Sequence, residues 1–247
     1  MIHAAINGKL NGKLNCLQSE DALTAAVFGR LRYLLPSVLG EWLATARNHT
    51  DPRATWVPRA SEMDVEFWPT VKDALHGRGS VQPDVAIRFD DEVVIVEAKL
   101  WSPKSAIEDG LDQLARQWHG TTEHYGERVT VTALVYLTSH LEPPRADLDA
   151  SAHALGANAS VLWWLSWSTL APILERQVAS TDRVSRLVAE DLLQYLREVG
   201  VLCFRGWRLA FDWQRGPCWR YQPSRRALYA RYWHDYSRNE PTWSYLR

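Results

Sequence analysis

Asp84-Val85-Ala86-Ile87-Arg88-Phe89-Asp90-Asp91-Glu92-Val93-Val94-Ile95-Val96-Glu97-Ala98-Lys99 reads as two β-strands joined by a tight turn. The residues on either side of Asp90-Asp91 are mostly Val, Ile, Ala and Phe, the composition of a buried sheet. The two-residue polar step suits a hairpin. With Phe89 set against Glu92, paired positions sum to 181, and Asp84 falls opposite Glu97. Side chains so placed have Cβ atoms about 4.5–5.5 Å apart. Lys99, two residues beyond Glu97, points to the same face. A three-residue turn would shift the register and separate the two carboxylates onto opposite faces.

Working outward, a helix is expected from Ser19. Ser19 is a good N-cap, Glu20 and Asp21 suit the positive end of the helix dipole, and Leu23, Val27, Leu31 and Leu34 form a stripe. It is expected to end near Pro36, with a second short helix over Leu39–Ala46 and a loop from Asn48 to Ala60. Val65–Trp68 reads as a first strand. After the hairpin, Ser105 to about His119 reads as a helix carrying Ile107, Leu111, Leu114 and Trp118 on one face. Val129–Leu137 is a further strand, Pro143-Pro144 a break, and Val161–Trp167 a short strand. Residues 171–199 read as helical, with Gly200 as the residue after the helix. This order predicts an α/β fold: a mixed sheet with a central antiparallel hairpin flanked by helices, followed by a helical, aromatic-rich C-terminal extension. The expected division is a core over 1–170 and a helical, Arg/aromatic-rich region over 171–247 packed on it. The repeated Asn-Gly-Lys-Leu at 7–14 reads as a loop.

The chain has 247 residues, a net charge of −1 and 46% hydrophobic content, ordinary for a protein that buries a core. No stretch reaches the roughly 18–20 apolar residues that crossing a bilayer takes, so no membrane partner is expected. The N-terminus lacks a basic and then apolar leader. Cys16, Cys203 and Cys218 are far apart and form neither a disulfide framework nor a structural zinc site, so a reducing, cytoplasmic setting is expected. The Asn-x-Ser/Thr matches at Asn48 and Asn158 then carry no meaning as glycosylation sites. No P-loop, dinucleotide fingerprint, Gly-x-Ser-x-Gly elbow or His-Glu-x-x-His occurs, which excludes an intrinsic nucleotide cofactor and those hydrolase chemistries.

Two carboxylates facing each other at the end of an apolar hairpin repel unless a positive charge compensates. A divalent cation is the natural partner. Mg²⁺ binds oxygen and takes one or two carboxylates together with waters and substrate phosphate. Such an ion can polarise a phosphodiester and activate a water, while a neighbouring lysine orients that water or offsets charge developing on phosphate. A bare Glu-x-Lys arises by chance about once in a chain of this length and most often marks a solvated ion pair. Here it occurs once, closes the most apolar strand and follows Pro83-Asp84 by one hairpin.

Pro83-Asp84, twelve residues, then Glu97-Ala98-Lys99 resembles the signature of the PD-(D/E)XK (restriction-endonuclease-like) nuclease superfamily. Glu20, early in the first helix, resembles the acidic residue that many members contribute to the metal site, and Asp21 is the alternative. Gln113 and Gln117 resemble the glutamine-bearing helix that follows the Glu-x-Lys strand in some branches. The resemblance covers about residues 19–139 and implies an α-β-β-β-α-β core. It further implies Asp84 and Glu97 as ligands of Mg²⁺ (or Mn²⁺), Lys99 as the catalytic lysine, Glu20 as its aid, and Gln113 or Gln117 positioning substrate or water. The implied activity is endonucleolytic hydrolysis of DNA, with RNA as the alternative substrate, in a restriction or anti-phage defence setting. The competing expectation is a catalytically silent module of the same fold that binds nucleic acid or a partner protein. His119 and His124, after the expected helix, read as loop or capping residues. Besides nucleic acid, the expected partners are a second protein or a second copy of the chain in a homodimer.

Residues 201–247 hold nine arginines against three acidic residues, a balance of +6, which leaves −7 for the rest. The same segment carries twelve aromatics and no lysine. Arg205, Arg208, Arg220, Arg225 and Arg226 are candidate nucleic-acid contacts, because arginine neutralises phosphate while the interleaved aromatics stack on bases. Two other readings stand beside it: aromatics completing a core under stacked arginines, or a protein interface.

Overall fold

The structure, a computed structural model, describes residues 19–34, 36–56, 62–75, 79–100, 112–126 and 129–201. In chain order its elements are α1 (Glu20–Leu31), α2 (Pro36–Leu43), β1 (Arg47–Asn48), β2 (Asp64–Phe67), β3 (Val71–Lys72), β4 (Ser80–Val81), β5 (Val85–Phe89) and β6 (Glu92–Ala98). They continue as α3 (Gln113–Tyr125), β7 (Thr130–Thr138), α4 (Arg145–Leu155), β8 (Leu162–Ser166), α5 (Leu170–Val178) and α6 (Arg183–Glu198). Six strands form one mixed sheet in the order β1-β8-β7-β6-β5-β2, and β3 pairs with β4 in a separate ribbon. β2, β5 and β6 form an antiparallel meander, while β6, β7 and β8 run parallel. The mixed α/β expectation is met.

The hairpin has the register read from the sequence. Phe89 pairs with Glu92 and Val85 with Val96. Asp90 closes the turn with φ 52°, a left-handed conformation that aspartate tolerates better than most residues. The alternation of side chains then sorts the sheet into two faces. Val85, Ile87, Phe89, Val94, Val96 and Ala98 join one core with residues of α1, α2, α5 and α6. Ala86, Val93 and Ile95 join the other, with Leu114, Ala115 and Trp118 of α3 and Leu148 of α4. Helices on both faces explain why β6 is an almost unbroken apolar run, since neither side of it meets water. The face that carries Asp84 and Glu97 is therefore covered as well, by α3 and α4.

Several boundaries differ from expectation. α1 stops at Leu31, and Pro36 begins α2 instead of ending α1. Proline suits a first helical turn, where its missing N–H has no partner to lose. The loop expected from Asn48 hides an edge strand, with Asn48 set opposite Trp163. Asn48 is buried, and its Oδ1 accepts from the Thr50 and Asp51 amides while its Nδ2 donates to the Ser160 carbonyl at 2.7 Å. The helix expected over 105–119 begins at Gln113 and runs on to Tyr125, because Asp112 caps it through the Leu114 and Ala115 amides. Residues 101–111, with Ile107 and Leu111, lie outside the described residues. His119 and His124 sit within α3, not in a loop after it. α4 was not anticipated at all. Its buried residues are only Leu148, Ser151 and Leu155, too sparse a stripe for a helical period to stand out.

Residues 171–199 form two helices, separated where Asp182 caps α6 through the Ser185 amide. Gly200 follows with φ 74°, as its place after the helix requires. Leu170, Ile173 and Leu174 of α5 and Leu192 and Leu196 of α6 lie in the same core as α1. By its internal contacts the chain divides between Cys203 and Phe204. No described helix is long and apolar enough to cross a membrane.

Candidate active site

Asp84 stands one residue before β5, so the register carries it opposite Glu97. Its backbone carbonyl accepts the Trp68 N–H at 3.0 Å, and its Oδ2 accepts the Ala98 N–H at 2.8 Å. The aspartate is thereby tied to both neighbouring strand ends. Burial and the facing negative charge of Glu97 push its carboxyl well above the usual carboxylate range, against the opposing pull of the Ala98 N–H and Lys99. Asp21 adds to the rise.

Glu97 is only 2% exposed and is held by three donors. Lys99 Nζ lies 2.8 Å from Oε1, Gln113 Nε2 donates to the same oxygen at 2.6 Å, and Gln117 Nε2 donates to Oε2 at 2.7 Å. Gln113 and Gln117 are one helical turn apart at the start of α3, so both amides reach one carboxylate from the same face. That placement follows from Asp112, whose cap fixes where α3 begins. Each amide spends its N–H₂ on Glu97, and both Oε1 atoms are buried without a hydrogen-bond partner. A buried acceptor left so costs about 1–3 kcal/mol.

Lys99 stands one residue beyond β6 and is held through its backbone on both sides. Its N–H donates to the Leu137 carbonyl at 2.7 Å, and its carbonyl accepts from Trp167 Nε1 at 3.2 Å. Trp167 packs with Trp42 and Phe28, ring centroids 5.7 and 6.2 Å away, so the lysine backbone rests on a rigid aromatic cluster. The Ser139 hydroxyl donates to the Leu100 carbonyl. Glu20, in the first turn of α1, accepts the Leu100 N–H on Oε2 at 2.9 Å and approaches Lys99 Nζ with Oε1 at 3.4 Å. Burial acts to lower the lysine pKa, but Glu97, Glu20 and Asp84 together outweigh it, and the ammonium is held above its ordinary range.

Asp84, Glu97, Lys99, Glu20, Gln113 and Gln117 thus converge on the C-terminal end of β6. Of the Glu20/Asp21 alternatives, Glu20 meets the lysine and Asp21 bears electrostatically on Asp84. Arg205, Arg208, Arg220, Arg225 and Arg226 lie outside the described residues. Two contributors went unread in the sequence. Tyr136 pairs with Glu97 in the parallel register, and burial and Asp147 raise its phenol pKa. Trp167 supports Lys99 from 68 residues away. Neither has a local signature: Tyr136 depends on β7 lying beside β6, and Trp167 on β8 lying beyond β7.

Among the described residues no group of three or more His, Cys, Asp or Glu is arranged to hold a metal. Two carboxylates and two orphaned amide oxygens nonetheless fit a hard, oxygen-seeking cation that keeps water and phosphate ligands. No protein-family model matches the chain, and no curated protein does.

Proposed function

We propose that the chain is a Mg²⁺- or Mn²⁺-dependent endonuclease of the PD-(D/E)XK, restriction-endonuclease-like superfamily, acting on DNA in a restriction or anti-phage defence setting. One observation carries this reading: Lys99 Nζ stands 2.8 Å from Glu97 on the face that Asp84 shares. With α2, β1 and the β3–β4 ribbon set aside as additions, the order α1, β2, β5, β6, α3, β7 supports it, being compatible with an α-β-β-β-α-β core. Asp84 and Glu97 would hold the ion, which when bound supplies Lewis-acid polarisation of the phosphodiester and a lowered pKa for a water.

The chain's own residues do the rest. The Gln113 and Gln117 amides, donating to its two oxygens at 2.6 and 2.7 Å, fix the orientation of Glu97. Lys99, protonated well beyond neutral pH, cannot serve as a base; its N–H groups orient water or stabilise charge on a phosphate oxygen. The purified chain should cleave DNA with Mg²⁺ or Mn²⁺, and Asp84→Ala and Lys99→Ala should not. Equal cleavage by all three proteins rejects the site.

The second reading is a catalytically silent module of this fold that binds nucleic acid or a partner protein. It is favoured by the three protein donors already seated on the Glu97 oxygens, one of them the Lys99 ammonium. In that case Asp84→Ala leaves complex formation unchanged and no turnover accompanies binding.

A further inference from the structure

Glu20 and Glu97 approach one ammonium from different elements. α1 packs on the sheet face opposite the one that carries Glu97, and Glu20, in its first turn, meets the chain just past the end of β6. From there Glu20 uses both carboxylate oxygens: Oε2 on the Leu100 N–H at 2.9 Å, Oε1 toward Lys99 Nζ at 3.4 Å. Lys99 sits nearer Glu97, at 2.8 Å, on the oxygen that also accepts Gln113.

A divalent cation taking Glu97 would compete with that ammonium for the same carboxylate, and two like charges so close in a poorly solvated site repel strongly. The ammonium therefore needs a second acceptor. Lysine has a four-carbon stem and rotatable donors, well suited to a short swing. Glu20 Oε1 is already within reach. Glu20 is in turn poorly placed to leave its post, because turning Oε2 elsewhere would strip a buried backbone N–H of its acceptor; Leu100 is 3% exposed.

We propose that Glu20 is a positioning residue: it is the second seat of Lys99, taking the ammonium when a divalent cation occupies Glu97, and is not itself a ligand of that cation. This rests on the metal-site reading above. It gives Glu20 a role toward the lysine and leaves the ion to Asp84 and Glu97.

Two experiments on the full chain test it. Glu20→Gln keeps an oxygen for the Leu100 N–H, so the fold should persist. In calorimetric titrations with Mg²⁺, Glu20→Gln should bind within about threefold of wild type, while Glu97→Gln should lose more than the roughly 10–100-fold that removing an outer partner costs. Equal losses in the two variants would overturn the proposal by making Glu20 a ligand. The second experiment needs no metal. The Lys99 ammonium ¹H–¹⁵N resonance, visible while a carboxylate slows its exchange with water, should survive in Glu97→Gln and vanish in the Glu20→Gln/Glu97→Gln double variant. Loss already in Glu97→Gln contradicts a second seat. Absence of Mg²⁺ uptake by the wild-type chain refutes the metal reading itself, whatever the lysine resonance does, so the two failures are distinguishable.

Discussion

At Asp84 the cost of an uncompensated carboxylate is legible in one residue. Its pKa is raised by burial and by Glu97, so the folded chain holds its proton to higher pH than the unfolded chain does. Between the two values the folded state binds more protons, and stability falls as pH rises. The metal-free protein should therefore lose stability above the ordinary carboxylate range of about 4, and Asp84→Asn should flatten that fall in denaturant titrations run across pH. The same proton has to leave before a cation can bind, so Mg²⁺ affinity should rise with pH over the same window. Lys99→Met tests the other half of the site. It should retain the fold yet lose on the order of a hundredfold or more in cleavage rate, as removal of a charge-stabilising donor does elsewhere. A variant that cleaves as fast as wild type would remove Lys99 from the chemistry. Gln117→Leu leaves Glu97 Oε2 without its donor and should cost about 1–3 kcal/mol in chemical denaturation.

The elements explain why some of this was readable and some was not. The hairpin was, because strand pairing across a two-residue turn is set by the turn itself; Phe89 opposite Glu92 fixes every later pair. Glu20, Gln113 and Gln117 came from resemblance to a family, as no spacing rule brings α1, β6 and α3 to one point. The start of α3 differs from the apolar stripe's indication because the Asp112 cap, through the Leu114 and Ala115 amides, sets it at Gln113. Asp112 also accepts from Ser151 of α4 at 3.2 Å, so Asp112→Ala should cost about 1–2 kcal/mol and loosen the glutamines' hold on Glu97. Reduced thermal stability together with weaker Mg²⁺ binding would be the signature. Farther along α3, a Cβ on Gly120 would lie 2.5 Å from the Lys72 carbonyl oxygen, a backbone atom with little room to yield. Gly120→Ala should therefore destabilise by about 1–3 kcal/mol, by pushing the β3–β4 ribbon off the helix. An unchanged melting temperature would show that the ribbon gives way freely.

Across the whole molecule, alternation and composition were enough for a mixed α/β fold, and a buried β6 implied helices on both faces. They could not supply the order β1-β8-β7-β6-β5-β2, because parallel neighbours are chosen by crossovers and not by local pattern. That choice puts Tyr136 beside Glu97 and Trp167 beneath Lys99, the two parts of the site that left no trace in the sequence. The charge split at the C-terminal end was equally plain to read, but composition alone does not choose among its three meanings. The account as a whole stands on a divalent ion shared by Asp84 and Glu97. Its most direct test is a calorimetric titration of Mn²⁺ into the wild-type chain at neutral pH, repeated with Asp84→Asn and Glu97→Ala. The account predicts saturable binding in the wild type that both substitutions abolish. Binding that survives both, or no binding in the wild type, would contradict it.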